Sequence, residues 1–140
     1  MKPKTDVMIS RDNLRFAMLS EDDDYFAYED EVRKKFFELI QQYTTKSEFE
    51  TIFIDATHLT PKARRQARSY MAFDSYKIAI SFEIPLNVAL ERNAKRSGRA
   101  LVPDTAIYNM YNCYKIPTLI EGFDEIWHVD AEGNIRKEIK

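Results

Sequence analysis

The sequence contains only one cysteine and three glycines among its 140 residues. A single cysteine, Cys113, excludes a disulfide within the chain and a zinc site built from several thiolates; we expect it to be a buried or half-buried apolar residue. No stretch approaches the roughly 20 apolar residues that a membrane-spanning helix requires. The N-terminal segment MKPKTDVMIS has no apolar signal core. These absences predict a soluble, cytoplasmic protein that has no membrane partner.

A large excess of charge of one sign is also missing. The formal net charge is −2, too near neutral for the whole surface to attract nucleic acid, so any such binding needs a local basic patch. The aromatic share of 13% argues against disorder. A chain of this length is near the commonest domain size, so the sequence predicts one domain, residues 1–140.

Apolar runs alternate with helical periodicities along the chain. The predicted strands are Val7–Ser10, Thr51–Asp55, Lys77–Ile84, Glu125–Val129 and a short edge strand, Ile135–Ile139. The predicted helices are Ala27–Tyr43, Pro61–Met71 with Thr60 as N-cap, Leu86–Arg96 and Thr105–Tyr114. We expect a loop at Arg11–Asn13. The solvent-facing side of the helix Pro61–Met71 is expected to carry Lys62, Arg64, Arg65 and Arg68. The alternation predicts an α/β domain with three layers, αβα, around a mostly parallel sheet.

Two predicted strands end beside an aspartate, and reactive groups in parallel sheets gather at the carboxyl ends of strands. Asp12 follows the first strand and is close in sequence to Arg15. Such a carboxylate can accept a proton from a hydroxyl, and the guanidinium can hold a phosphate. Asp55 ends the second strand, where it would hold a magnesium-bound water or orient a substrate. The plainer alternatives are a surface ion pair and a loop cap.

Cations are concentrated near the end of the predicted helix Leu86–Arg96. They are Arg92, Lys95, Arg96 and Arg99. A continuing helix would place them on one face, although Gly98 predicts a break before the last of them. Such a group suits a polyphosphate, whose charge it would offset. An ordinary solvated basic face is the alternative.

Three segments together resemble the bacteriophage polynucleotide 5′-kinase domain and its zeta-toxin and AAA-like ATP-binding kinase relatives. They are ISRDNLR at residues 9–15, IDATHLT at 54–60 and ERNAKR at 91–96, in the order and spacing of that group. The resemblance covers nearly the whole chain. It implies a P-loop-kinase-like fold and phosphate transfer from ATP to the 5′-hydroxyl of a nucleic acid. The group also contains kinases of small-molecule hydroxyls, so the acceptor class stays open.

The resemblance also implies roles for the matched residues. Asp12 would be the general base for the acceptor hydroxyl, and Arg96 would contact the transferred group. Binding of the acceptor would involve Arg15, Asp55 and Thr57. The lid over the ATP phosphates would include Arg92, Lys95 and Arg99. His58 stands where the group often has asparagine, and no metal ligand is implied.

Such kinases begin with a strand, a G-x-x-x-x-G-K-[ST] loop that cradles the phosphates, and a helix. No such segment occurs here, since the first glycine is Gly98. The resemblance therefore implies a fold whose first strand and phosphate loop are absent, with ATP and Mg²⁺ as cofactors only if the loop is restored. The absent strand would lie between the strand ending at Asp55 and the strand 78–82. A homo-oligomer or a chain supplying that strand is expected.

Three explanations of the absent loop stay open. The reading frame is truncated, the chain is one fragment of a split kinase, or it is a non-catalytic remnant that binds nucleotide or nucleic acid. The first two predict activity once the loop is restored, and the third predicts binding without turnover. An aspartate-dependent phosphohydrolase is disfavoured, because neither Asp12 nor Asp55 is followed two residues later by a second acid.

Overall fold

The computed structural model describes residues 4–140, which form two compact units. The first unit contains the chain up to His58 and Arg64–Ser75, and the second contains Leu59–Ala63 and Tyr76–Lys140. Within the described part of the chain, no helix combines the length and apolar character needed to cross a membrane. Helices and strands alternate in both units, so the predicted α/β class is confirmed at this level.

The first unit is built on a parallel pair of strands. Its elements are β1 (Thr5–Ser10), α1 (Arg11–Met18), α2 (Glu29–Thr45), β2 (Phe49–Asp55) and α3 (Pro61–Ser69) from Arg64 onward. The register places Ser10 opposite Asp55. The two strands therefore end at the same edge of the sheet, as the sequence predicted.

Helix α2 supplies most of the core of this unit. Its apolar residues recur at helical spacing, which predicts one buried face, and four of its side chains are buried: Val32, Phe36, Phe37 and Ile40. Phe36, Phe37 and Ile40 pack with Ile9 of β1 and Ala67 of α3. One side of the β1–β2 pair is thereby covered by helices, because apolar residues at helical spacing face the sheet together.

The loop predicted at Arg11–Asn13 is wrong, since α1 begins directly at Arg11. Ser10 is its N-cap, and the Ser10 hydroxyl accepts a hydrogen bond from the Asn13 backbone N–H at 3.2 Å. Asp12 lies in the first turn, where the helix dipole favours a carboxylate. The consequence is that Asp12 and Arg15 lie on one face of a helix rather than in an irregular segment.

The opposite side of the β1–β2 pair is open. Met8 and Phe53 are register partners there, and 59% and 45% of their surfaces are exposed. Among the described residues, β2 pairs only with β1. The predicted three-layer arrangement is therefore not seen within this unit, where helices cover one face.

The second unit contains a three-stranded sheet. Its elements are β3 (Ile78–Phe82), α4 (Leu86–Ala94), α5 (Asp104–Cys113), β4 (Glu125–Val129) and β5 (Ile135–Ile139), with 3-10 turns at Gly98–Ala100 and Leu119–Glu121. Strand β4 is parallel to β3 and antiparallel to β5. The predicted edge strand β5 is thus confirmed. Strands β2 and β3 belong to separate sheets, and each has one described neighbour.

The two faces of this second sheet differ. One face carries Ile126, Ser81 and His128, all buried. The other face carries large apolar side chains that are exposed: Ile78, Ile80, Phe82, Ile135 and Ile139. The apolar residues of these strands are typical of a sheet that is covered on both faces. In this unit only one face is buried, as in the first unit. Cys113, which was expected to be buried or half-buried, is exposed at the last residue of α5.

His128 of β4 contacts two carboxylates, that of Glu83, directly after β3, and that of Glu138 in β5. Its Nδ1 lies 2.8 Å from Glu83 Oε1, and its Nε2 lies 2.6 Å from Glu138 Oε2. Both ring nitrogens donate only in the protonated imidazolium. Burial lowers the pKa of His128, but the hydrogen bonds to Glu138 and Glu83 outweigh it, so the pKa is raised.

We predict that His128 stabilises the protein more at pH 6 than at pH 9. Since its pKa is raised on folding, its contribution is full below the unfolded value of about 6.5. It is lost as the pH rises through the folded value. The difference in unfolding free energy between the wild type and His128→Gln, measured by urea denaturation, should shrink from pH 6 to pH 9. Glu132→Gln, in the exposed β4–β5 turn, is the control. If the loss of unfolding free energy in His128→Gln did not depend on pH, the raised pKa of His128 would be contradicted.

Candidate functional site

Asp12 has the position expected of a group that meets a substrate. It follows the end of β1, and 63% of its side chain is exposed. Its Oδ1 accepts hydrogen bonds from Arg15 Nη1 at 2.5 Å and from the Tyr25 hydroxyl at 3.1 Å. Burial and the Asp12 charge raise the pKa of Tyr25, so that hydroxyl stays protonated and donates. Both bonds go to one oxygen, which fixes the orientation of the carboxylate.

Arg15 is the centre of a cluster that also contains Arg11, Asp12, Tyr25 and Glu29. Only 8% of the Arg15 side chain is exposed. Its Nε donates to Glu29 Oε2 at 3.0 Å, and its Nη2 donates to Oε1 and Oε2 at 3.0 and 2.9 Å. The Tyr25 ring centroid lies 4.7 Å from the guanidinium carbon, a cation–π distance. Burial lowers the pKa of Arg15. The hydrogen bonds and charges of Glu29 and Tyr25 raise it by more, so the pKa is raised overall. The side chain is a permanently charged, fully paired cation.

The structure therefore brings Asp12 and Arg15 together, as an ion pair whose arginine is buried rather than on the surface. A phosphate that reaches Arg15 must compete with Glu29 or Asp12. Sequence reasoning missed Glu29 and Tyr25, since they lie 14 and 10 residues from Arg15 along the chain. No local spacing pattern reports a contact of that kind.

Asp55 and Thr57 lie after the second strand. Asp55 is the last residue of β2, and its register partner Ser10 caps α1. Both Asp55 and Thr57 are exposed. The shared strand edge places Asp55 on the side of the sheet where α1 begins, which is the side the sequence predicted for a substrate.

His58 follows them in an unusual backbone conformation. Its φ is +42°, in the left-handed region that residues other than glycine rarely adopt. Its carbonyl accepts a hydrogen bond from Arg64 Nη1 at 2.9 Å. Arg64 is buried, so its predicted solvent-facing position is wrong; the side chain folds back onto the turn. Burial, together with the charges of Arg11 and Arg64, lowers the pKa of His58.

We predict that the two histidines titrate on opposite sides of their ordinary value of about 6.5. His58 should titrate below it and His128 above it. Acid therefore weakens the His58 environment, because the unfolded chain binds a proton there at a higher pH than the folded chain. An NMR titration of the imidazole C–H signals measures both values. His58→Asn, which tolerates a positive φ, assigns the signals; the reverse order would contradict both structural assignments.

The second unit contains the cationic segment. The predicted helix Leu86–Arg96 is two residues too long, because α4 ends at Ala94 and Lys95 is its C-cap. The cause is Asn93, which is buried and whose side chain bonds both the N–H and the carbonyl of Val102 at 3.2 and 2.7 Å. This pair of bonds brings the chain back after the helix. The break predicted at Gly98 is confirmed by its φ of +61°.

All four cations of that segment, Arg92, Lys95, Arg96 and Arg99, are exposed. Arg92 Nη2 donates to the Ala131 carbonyl at 3.1 Å, and Lys95 Nζ lies 3.5 Å from Glu91 Oε1. Exposed ion pairs of the second kind are weak. An anion could therefore replace the contacts of Arg92 and Lys95 at small energetic cost.

Comparison with known families agrees with the α/β architecture. A family model described as an AAA domain matches residues 1–116. The chain belongs to this family. Membership supports a P-loop NTPase-like, nucleotide-binding kinase fold for this AAA domain, and the matched range includes Asp12, Asp55 and Arg96. No curated protein matches the chain.

The sequence of this AAA domain contains no G-x-x-x-x-G-K-[ST] segment, which in P-loop enzymes supplies the phosphate cradle and a magnesium ligand. Between residues 4 and 140, no cluster of three or more His, Cys, Asp or Glu side chains is arranged to hold a metal ion. What the chain does offer is a placed carboxylate and a group of exposed cations.

Proposed function

We propose that this AAA domain carries the acceptor side of a polynucleotide-kinase-like phosphotransferase. The acceptor is the 5′-hydroxyl end of a nucleic acid, and the phosphate donor is ATP. The observation that carries the proposal is the exposed Asp12 carboxylate, held by one oxygen at the carboxyl end of a parallel strand. A family match along residues 1–116 and the resemblance to polynucleotide 5′-kinases support it.

Asp12 is the general base in this proposal. Arg15 and Tyr25 hold Oδ1, which leaves Oδ2 to take the proton of the acceptor hydroxyl. A base must lie within hydrogen-bond reach of that proton, and an oriented carboxylate meets this condition without a further rearrangement. Asp55 and Thr57, exposed at the same sheet edge, would position the acceptor.

The cationic segment of the second unit would contact the donor phosphates. Arg96 would contact the transferred group, with Arg92, Lys95 and Arg99 as further phosphate contacts. Their exposure and their concentration within residues 92–99 support this role, because phosphoryl transfer depends mainly on positioning and on neutralising charge. ATP and Mg²⁺ would bind only when a glycine-rich loop is restored. Since β2 and β3 each have one described neighbour, a second copy or a partner chain that supplies a strand is part of the proposal.

A small-molecule hydroxyl is the second candidate acceptor. The observation that favours it is the acidic run Glu21–Asp24, directly before Tyr25. Such a run repels a polyanionic strand, whose binding depends on cation–phosphate contacts. A small uncharged acceptor would not meet this repulsion.

We predict that the chain binds a 5′-hydroxyl single-stranded oligonucleotide but transfers little phosphate to it from labelled ATP and Mg²⁺. Asp12→Asn should keep or improve the binding, since it removes a negative charge, and should abolish any residual transfer. Fluorescence anisotropy and product labelling measure the two quantities. Binding of a small hydroxyl compound with no oligonucleotide binding would favour the second candidate. Measurable transfer that is equal in wild type and Asp12→Asn would contradict Asp12 as the base, and ordinary turnover by the wild type would contradict the need for the loop.

We also predict that Arg96→Gln weakens binding of inorganic tripolyphosphate by this chain about tenfold, because one charge-assisted contact to a phosphate is lost. The dependence of the affinity on salt should become shallower. Calorimetric titration with tripolyphosphate at two salt concentrations measures both changes. Lys62→Gln removes one exposed positive charge from α3 and is the matched control. Equal effects of the two substitutions would show that only net charge matters.

A further inference from the structure

Two arginines of α1 converge on one carboxylate of α2. Arg11 and Arg15 are one helical turn apart, and both donate to Glu29, the first residue of α2. The distances are 2.7 Å from Arg11 Nη2 to Oε1, and 3.0 and 2.9 Å from Arg15 Nε and Nη2 to Oε2. A carboxylate that accepts from two guanidinium groups occupies the position that a phosphate group would take between the same donors.

The cluster also contains a donor that Glu29 does not satisfy. The Nε of Arg11 is buried and has no hydrogen-bond partner among the described residues. Most buried donors are paired, and an unpaired one needs an explanation such as an absent ligand. A phosphate group has more acceptor oxygens than a carboxylate and a larger charge, so it can satisfy donors that Glu29 leaves unpaired.

We propose that Arg11 and Arg15 together form a phosphate-binding site for the acceptor, and that Glu29 occupies this site until a phosphate displaces it. The inference rests on the proposed function and adds Arg11 and Glu29 to its acceptor side. The ligand chemistry is a phosphate group, either within a nucleic-acid strand or free. An internal carboxylate then sets the affinity of the site, because each phosphate must compete with it.

The geometry allows Glu29 to leave while Arg15 stays. The Glu29 side chain is 30% exposed, against 8% for Arg15. Arg15 keeps the ion pair with Asp12, the hydrogen bond to the Tyr25 hydroxyl at 2.9 Å and the contact with the Tyr25 ring. Glu29 lies in the first turn of α2, where a carboxylate is favoured by the helix dipole without a guanidinium partner.

The test compares Glu29→Gln with Glu38→Gln. Both remove one negative charge from α2, and Glu38 is exposed and lies nine residues after Glu29. Inorganic phosphate and a 5′-hydroxyl oligonucleotide are the probes. We expect Glu29→Gln to bind both roughly three- to tenfold more tightly than Glu38→Gln, since a neutral amide competes less well for the guanidinium groups. Arg11→Gln should remove this gain, whereas Arg33→Gln, an exposed position on α2, should not.

A second readout is the NMR signal of the Arg11 Nε–H, which should shift on addition of phosphate as the donor gains a partner. Thermal unfolding of every variant shows that the chain is folded. Equal affinities of Glu29→Gln and Glu38→Gln for both probes would overturn the site. Tighter phosphate binding by Glu29→Gln without any oligonucleotide binding would keep the site and reject the nucleic-acid acceptor. Weaker binding of both probes by Glu29→Gln would show Glu29 to be a supporting residue and would also overturn the proposal.

Discussion

The first unit depends on the pairing of one buried cation. A guanidinium removed from water needs several charged or polar partners, because an unpaired buried charge is far more destabilising than the pair is stabilising. Arg15 finds them in Glu29 at the start of α2, in Asp12 on its own helix and in Tyr25 between the two. The same contacts therefore join α1 to α2 and orient Asp12. Stability and the proposed chemistry share one set of hydrogen bonds.

Local patterns in the sequence predicted most of the elements and the shared edge of β1 and β2. The apolar spacing of α2 identified its buried face correctly. The failures have physical causes: the start of α1 was missed because an N-cap serine, Ser10, also ends a strand, and α4 stops early because the Asn93 side chain binds Val102. The partners of Arg15 were missed for another reason, since contacts between residues distant in sequence leave no periodic signal.

Each sheet has one face of apolar side chains that remains exposed, although the parallel strands of such a fold are usually buried. Parallel strands in such folds are normally covered on both faces, and their sequences are apolar accordingly. Strands β2 and β3 have this apolar character, yet Phe53, Ile80 and Phe82 are exposed. The sequence could predict that these side chains belong in a core. It could not predict which segment covers them, because the covering residues are not determined by the strand pattern.

The carboxylate of Glu29 shows why a phosphate site and a stable fold make opposing demands. Two arginines close together repel each other and are costly to bury, so a site ready for phosphate would destabilise the empty protein. An internal carboxylate removes this repulsion, at the expense of affinity, because the phosphate must displace it. Neutral Gln at the same position would shift that balance toward binding and away from stability. Glu29 is more exposed than Arg15. It can therefore pair with the arginines when the site is empty and move away when a phosphate binds.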